Sequence, residues 1–318
     1  MTANTLRLVA DVGGTNTRIA LFNEQTSEFD RVQTFRNRDY PRLQDLVNRW
    51  LATLDQRPDC ACIAIASPLD GDQVRMINMD WAFSRREFAE DCGIELIGWI
   101  NDFVGNAHAL PYLQPTDRVE LRSGGGRPLN KLAAVGPGTG LGGATVQEIA
   151  GTWRATACEP GHAGLSPATE EELALFAALL REVDSVYAEL LVSGPGLLRL
   201  YQTLALVRDQ EAGASSPADV SAMALAGEDN LAGDALNMFC ALLGSACGDF
   251  VLSNGAYGGL YLAGGIVPRM IPFLQASDFL SRLCEKGAMT AVLEQVPIYA
   301  ITAEQPGLLG AAHAPLGD

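Results

Sequence analysis

Lysine is nearly missing from this chain: in 318 residues only Lys131 and Lys286 carry it. The lysine-bearing P-loop, GxxxxGK[ST], is therefore absent, and any phosphate handled here must rest on backbone amides, arginine or a metal ion. Basic charge is scarce altogether. Lys+Arg number 22 against 38 Asp+Glu, a formal net charge of −16, and such a field repels nucleic acid and anionic membrane alike. Histidine is limited to His108, His162 and His313, and none of the seven cysteines stands in a CxxC pair, which leaves little capacity for a metal cluster. The odd cysteine count without framework spacing fits a reducing compartment. Cys60 and Cys62 alternate in the apolar stretch "CACIAIAS" and read as buried thiols. "MTANTLRLVADVGG" lacks a basic start followed by an apolar signal core, and no uninterrupted apolar run approaches the roughly 18 residues a membrane span needs. These absences point to a soluble, cytoplasmic protein with no nucleic-acid or membrane partner.

What is present is core material. Hydrophobic residues make up 48% of the chain and charged residues 19%, enough for a large core or, at this length, two lobes. Leu6 to Ala10 reads as a strand, "VGGTN" as its turn, and Thr17 to Phe22 as a returning strand. In "PRLQDLVNRWLATL", Leu43, Leu46, Val47, Trp50 and Leu54 fall on one helical face. "CACIAIASP" is a strand stopped by Pro68, and Ile94 to Ile100 is another apolar run. "KLAAVGPGTGLGGATVQEI" then repeats the opening outline of strand, glycine turn and strand. Thr169 and Glu172 have capping-box spacing before a helix. A long apolar helix spans about Asp234 to Leu252, "GGLYLAGGIVPRM" gives a third glycine turn after a strand, and "PGLLGAAHAP" a short final helix. The mixture indicates an α/β fold, with a small lobe over 1–110 joined by the C-terminal segment 301–318, and a large lobe over 111–300.

The glycine turns carry the chemistry. A strand ending in glycines can present successive N–H groups to an anion, because no side chain blocks the approach. Asp11 beside "GGTN" would repel a bare phosphate but attract a magnesium ion bound to one, and the Thr15 hydroxyl can donate to a phosphate oxygen. An ordinary hairpin turn is the alternative. Gly138, Gly140 and Gly143 spell GxGxxG, but a dinucleotide fingerprint needs a helix immediately after it. "ATVQEI" alternates like a strand instead, so paired phosphate hairpins account for the two turns better.

One further stretch stands out. The apolar run to Ile100 ends in Asn101 and Asp102, where a helix-like segment begins. Asn and Asp accept hydrogen bonds from the free amides of a helix start, so capping is one reading. A carboxylate placed to accept a proton is the other.

Taken in order, "DVGGTNTR", "WAFS" (81–84), "INDF", "GPGTGLGG", "EPGH", "LVSGPGL" (191–197), "LAGGIVPR" (262–269) and "PGLLGAA" resemble the bacterial glucokinase family, within the sugar kinase, heat-shock-protein and actin superfamily. The resemblance runs along nearly the whole chain. It implies a two-lobed actin-like ATPase (ribonuclease H-like) fold, with an interlobe cleft closing over ATP and D-glucose, usually as a homodimer. It assigns Ala10, Asp11, Val12, Gly13, Gly14 and Thr15, with Gly136, Gly138, Thr139 and Gly140, to the phosphates, and Gly264 and Gly265 to the adenosine. Asp11 would hold Mg²⁺, through water. Asp102 would be the catalytic base, with Asn101, Asp102, Glu159, His162 and Glu189 as sugar contacts. Without the resemblance, Glu189 reads as a solvated helix position and His162 as a core histidine; His108 and His313 keep structural readings. Where the family often has glycine between the glutamate and "GH", this chain has Pro160, which stiffens the loop and restricts Glu159 before it. No cysteine cluster follows His162, so the resemblance carries no structural zinc. A kinase for mannose or an N-acetylated hexosamine, a non-catalytic sugar sensor and an actin-like filament protein are the other readings this pattern admits.

Overall fold

The computed structural model describes residues 5–76, 79–125 and 131–316; the first four residues of the segment read for a leader lie outside them. The chain divides into two units. The first comprises Met1–Leu113, Val146–Ala157 and Ala303–Asp318, the second Gln114–Thr145 and Cys158–Thr302. The excursion Val146–Ala157 thus groups with the first unit, whereas the sequence placed it in the large lobe. It is the end of a hairpin, closed by Ala150 and Gly151 with φ of 52° and 79°, the two successive left-handed residues of a tight type I′ turn.

Among the described residues, seven strands lie wholly in the first unit: β1 Leu6–Val12, β2 Asn16–Asn23, β3 Glu28–Arg36, β4 Cys60–Ile65, β5 Gln73–Arg75, β6 Ala82–Ser84 and β7 Ile97–Asn101. The main sheet has the order β3-β2-β1-β4-β7, and β5-β6 forms a separate ribbon. β1 and β2 are antiparallel, but β1, β4 and β7 run parallel. Parallel strands must be covered on both faces, and the sequence provides for this: all six residues of β4 are buried. On one face the Leu43–Leu51 helix buries Leu43, Leu46, Val47 and Trp50. Leu54 lies beyond that helix. On the other face, Leu308, Ala311 and Ala312 of the Pro306–His313 helix pack on Val9, Ala20 and Cys62.

The remaining strands are β8 Arg118–Arg122, β9 Lys131–Pro137, β10 Leu141–Ile149, β11 Thr152–Cys158, β12 Gly259–Leu262 and β13 Ile298–Ile301, in the order β11-β10-β9-β12-β13-β8. β9, β12 and β13 are parallel. Their core is completed by the Asn230–Asn254 helix, longer at both ends than the sequence indicated. Among the described residues it is the one helix long and apolar enough to cross a bilayer, yet 78% of its most apolar window is buried inside the protein, so its apolarity is that of a core helix. All seven cysteines are free, and Cys60 and Cys62 are buried.

The Glu170–Leu179 helix corrects one local expectation. Thr169 Oγ1 accepts from the Glu172 N–H at 3.1 Å, as a cap should. Glu172 does not return the bond to Thr169. Its carboxylate accepts from the Ala168 N–H at 2.7 Å and from the Arg282 guanidinium at 2.5 Å, because a buried acid gains most from a buried cation.

Candidate active site

In the first unit, register brings the candidate residues to one sheet edge. Val12 pairs with Ile65, and Ile65 with Asn101, so β1, β4 and β7 all finish there. The carboxyl end of a parallel sheet is where α/β proteins bind ligands. Asn101 caps the Asp102–Ala109 helix, its side-chain oxygen accepting from the Phe103 N–H at 2.9 Å. The capping task thus falls to Asn101. Asp102 occupies the first helical turn and is half-buried.

Asp11 is the other acid of this edge. Arg18 is its direct cross-strand partner in the β1–β2 register, with Nη1 3.5 Å from Oδ2. Burial pushes the Asp11 carboxyl up to about 6; the Arg18 guanidinium works against the rise, and the negative charge of Asp102 adds to it. Gly307 touches Asp11 so closely that a Cβ there would lie 2.7 Å from the carboxyl carbon. The glycine turn itself closes through the Gly13 N–H, which donates to the Asn16 carbonyl at 3.0 Å. That amide is engaged, which leaves Gly14 and Thr15 as the turn's candidate donors. Buried Asn37, absent from the sequence reading, holds the turn from behind: its Nδ2 donates to the Gly13 carbonyl at 2.8 Å, and its backbone N–H to the Thr15 carbonyl at 2.9 Å. A cavity of about 730 Å³ adjoins the turn, lined by Gly14, Thr15, Arg36, Arg38, Tyr40 and Trp81 among others.

The second unit gathers its own set. β9 ends at Pro137 beside the end of β12. The two chain segments approach so closely there that a Cβ on Gly136 would lie 2.5 Å from the Ala263 carbonyl oxygen, and one on Gly264 2.6 Å from that of Pro137. Gly264 also has φ +86°, which a side chain would strain. The "GPGTG" turn closes like its counterpart: the Gly138 N–H donates to the Gly140 carbonyl at 2.7 Å. β10 follows immediately, so the GxGxxG stretch joins two strands, as its alternation indicated. Gly265 and Thr139 are exposed.

Within the second unit, Glu189 stands between the "GPGTG" turn and the Pro160–His162 turn. It lies in the short Ala188–Leu191 helix, half-buried, and accepts from the Leu141 N–H at 2.8 Å. Its carboxylate stands where a Cβ on Gly140 would fall, and its Cβ is 3.2 Å from the position a Cβ on Gly161 would take. Glu159 and His162 flank the Pro160–His162 turn and are exposed, which corrects the core-histidine alternative for His162. The imidazole lies parallel to the Tyr187 ring, 7° apart in plane and 5.6 Å between centroids. Pro160 packs on Gly143, where a Cβ would meet its Cγ at 2.6 Å. The absent side chain at Gly143 thus makes room for the proline.

His108 and His313 belong to packing. His108 is buried, and His313 stacks on Tyr112 with rings 3.6 Å apart. Among the described residues, no group of three or more His, Cys, Asp or Glu is arranged to hold a metal ion.

A family model described as Glucokinase matches residues 8–316. A protein named Glucokinase from Saccharophagus degradans is 39% identical over 309 residues, covering 96% of each chain. The crystal structure of glucokinase from an Antarctic psychrotroph superposes with a TM-score of 0.89 at 37% identity, over 97% of this chain and 98% of that one. At 17% identity, a glucokinase of the ROK family from Streptomyces griseus, solved in complex with glucose and AMPPNP, shares the fold with a TM-score of 0.63 over 96% of this chain and 98% of that one. With mixed sheets whose parallel strands end in glycine turns, the molecule has the fold of the actin-like sugar kinases. The chain belongs to the glucokinase family, and with it to the ATP-dependent hexose 6-phosphotransferases.

Proposed function

We propose that this enzyme transfers the terminal phosphoryl group of ATP to the 6-hydroxyl of D-glucose, with Asp102 as general base. The observation that carries the reading is the placing of two acids, Asp11 and Asp102, at one sheet edge, where the Asp102 charge adds to the rise of the Asp11 carboxyl. A sugar hydroxyl is a poor nucleophile near neutral pH. The Asp102 carboxylate orients it and takes its proton as phosphoryl transfer proceeds. The O6–H bond breaks and an O6–P bond forms, while the bridging P–O bond breaks with its electron pair leaving on ADP. Such a base contributes roughly 10²–10⁴-fold, or about 3–5 kcal/mol of barrier.

The phosphates rest, in this reading, on the turns at Asp11–Thr15 and Gly136–Gly140, with Gly14 and Thr15 offering amides and Thr15 its hydroxyl; Gly264 and Gly265 accompany the adenosine. Asp11 suits Mg²⁺: a bound cation favours the carboxylate form that burial, with the Asp102 charge adding to it, disfavours by raising the Asp11 carboxyl to about 6. Bound there through water, Mg²⁺ would neutralise phosphate charge. Asn101 offers its side-chain NH₂ to the sugar, since its oxygen caps the helix. Glu159, His162 and Glu189 read further hydroxyls, and a site built on them rejects analogues that leave its polar groups unpaired. The family resemblance supports a cytoplasmic homodimer, which equilibrium sedimentation tests.

The deciding experiment is a coupled assay for ADP release over glucose, mannose and N-acetylglucosamine, with ATP, ADP or polyphosphate as donor. Glucose with ATP should dominate by kcat/KM. A strong preference for another sugar or donor, or no turnover with any, overturns the reading.

A further inference from the structure

Asn37 stands outside every motif that carries the family resemblance, yet its side chain is 1% exposed and bonded on two sides. Its Nδ2 donates to the Gly13 carbonyl at 2.8 Å and its Oδ1 accepts from the Thr17 hydroxyl at 2.8 Å. Its backbone N–H donates to the Thr15 carbonyl at 2.9 Å. Gly13 and Thr15 lie in the turn between β1 and β2 and Thr17 near the start of β2, and one residue restrains all three.

The constraint matters because of which way each peptide group faces. Carbonyls at Gly13 and Thr15 that point back into Asn37 are carbonyls that do not point at an incoming phosphate. A free glycine turn can flip its peptide planes, since glycine has no Cβ to forbid the alternative. A flipped plane would present a carbonyl dipole to an anion where an amide is needed. Asn37 suits this task because its amide is both donor and acceptor and carries no charge. An aspartate would repel the nucleotide, and an alanine would take the Asn37 donor from the part-buried Gly13 carbonyl and leave the buried Thr17 hydroxyl without its acceptor.

We propose that Asn37 is a positioning residue that fixes the Gly13–Thr15 turn in its anion-accepting conformation. This rests on the reading above that the turn receives ATP phosphates. Asn37 touches no reacting atom in this scheme; it acts through the turn.

The test is steady-state kinetics and direct MgATP titration on four purified full-length variants. Asn37→Ala should raise both the KM and the Kd for ATP about tenfold. Thr17→Val, which removes the hydroxyl and keeps the shape, should raise both about threefold. Thr17→Ser, which restores the hydroxyl, should return both values to wild type. Glucose KM should stay within about twofold throughout. A lower melting temperature with ATP affinity unchanged in Asn37→Ala would show a purely structural role and overturn the proposal. Were Asn37→Ala to fail to fold, the Thr17→Val and Thr17→Ser pair decides by the same readouts. Thr15→Ala separates the two layers: if it weakens ATP binding and the Asn37 and Thr17 variants do not, the positioning claim fails while the turn keeps its ligand. If none of the four weakens ATP binding, the reading of the turn itself fails.

Discussion

Gly310 in the C-terminal helix crosses Gly105 in the Asp102–Ala109 helix with no room for a single extra carbon: a Cβ on Gly310 would fall on the Gly105 carbonyl oxygen. Three glycines make this junction. A Cβ on Gly105 would meet Ala64 Cβ at 3.1 Å, and Gly307 lies against Asp11. The last helix of the chain therefore sets the position of both proposed catalytic-site acids, one through the helix that begins at Asp102 and one by direct contact.

Gly310→Ala should accordingly destabilise the enzyme by about 3 kcal/mol or more, since backbone would have to move apart. Gly307→Ala should be milder in stability and sharper in function, because the added methyl presses on the Asp11 carboxylate. Thermal melts read the first. A rise in the KM for MgATP, with glucose KM little changed, reads the second.

The raised Asp11 pKa has a signed consequence. The folded value is near 6 against an ordinary 3.8, so the stability this group contributes is fully present below about 3.8 and is lost as pH rises through 6. Asp11→Asn should therefore stabilise the nucleotide-free enzyme at pH 8, by up to about 3 kcal/mol, and the gain should shrink toward pH 4. The same substitution should weaken metal–nucleotide binding. In the wild type, that binding should fall as pH drops below 6 and Asp11 takes up a proton. Melting curves and MgATP titrations across pH 4–8 measure both.

His108 has the opposite sign. Burial, aided by the His313 charge, pushes its pKa down to about 4, so it is neutral in the fold but protonates near 6.5 when unfolded. Its contribution to stability is present above 6.5 and lost as pH falls toward 4. Denaturant unfolding should show a stability decline over that window, and His108→Gln should flatten it.

The Glu172–Arg282 pair lies away from the proposed site and gives a test of stability alone. Both side chains are buried, and the guanidinium makes contacts of 2.5 and 3.1 Å to the carboxylate. Arg282→Met would leave an unpaired acid inside the protein and should cost about 3–5 kcal/mol. Glu172→Gln with Arg282→Met together should recover part of the loss. Kinetic constants of the surviving fold should be unchanged.

How much of this was legible in the sequence depended on how local the cause was. The hairpin at Asp11 was legible, including in principle the Asp11–Arg18 pairing, because a turn centred between Gly14 and Thr15 places those two residues opposite each other. The GxGxxG stretch was correctly taken from the dinucleotide class by the alternation that follows it. Thr169 was legible as a cap, but the destination of Glu172 was not: its partner Arg282 lies 110 residues further on. Asn37 could not be found either, because it sits in the polar run "RNRD" and its value comes from a turn 24 residues earlier. The glycines of "PGLLGAA" drew attention as a motif. Their reason, a backbone crossing against Gly105 and Asp11, exists only in three dimensions.

The measurement closest to the central claim is single-turnover and steady-state kinetics of Asp102→Asn, alongside calorimetric titration with glucose. The account predicts a fall in kcat of about 10²–10⁴-fold with the glucose dissociation constant changed by less than about threefold. Turnover near the wild-type rate in that variant would contradict it.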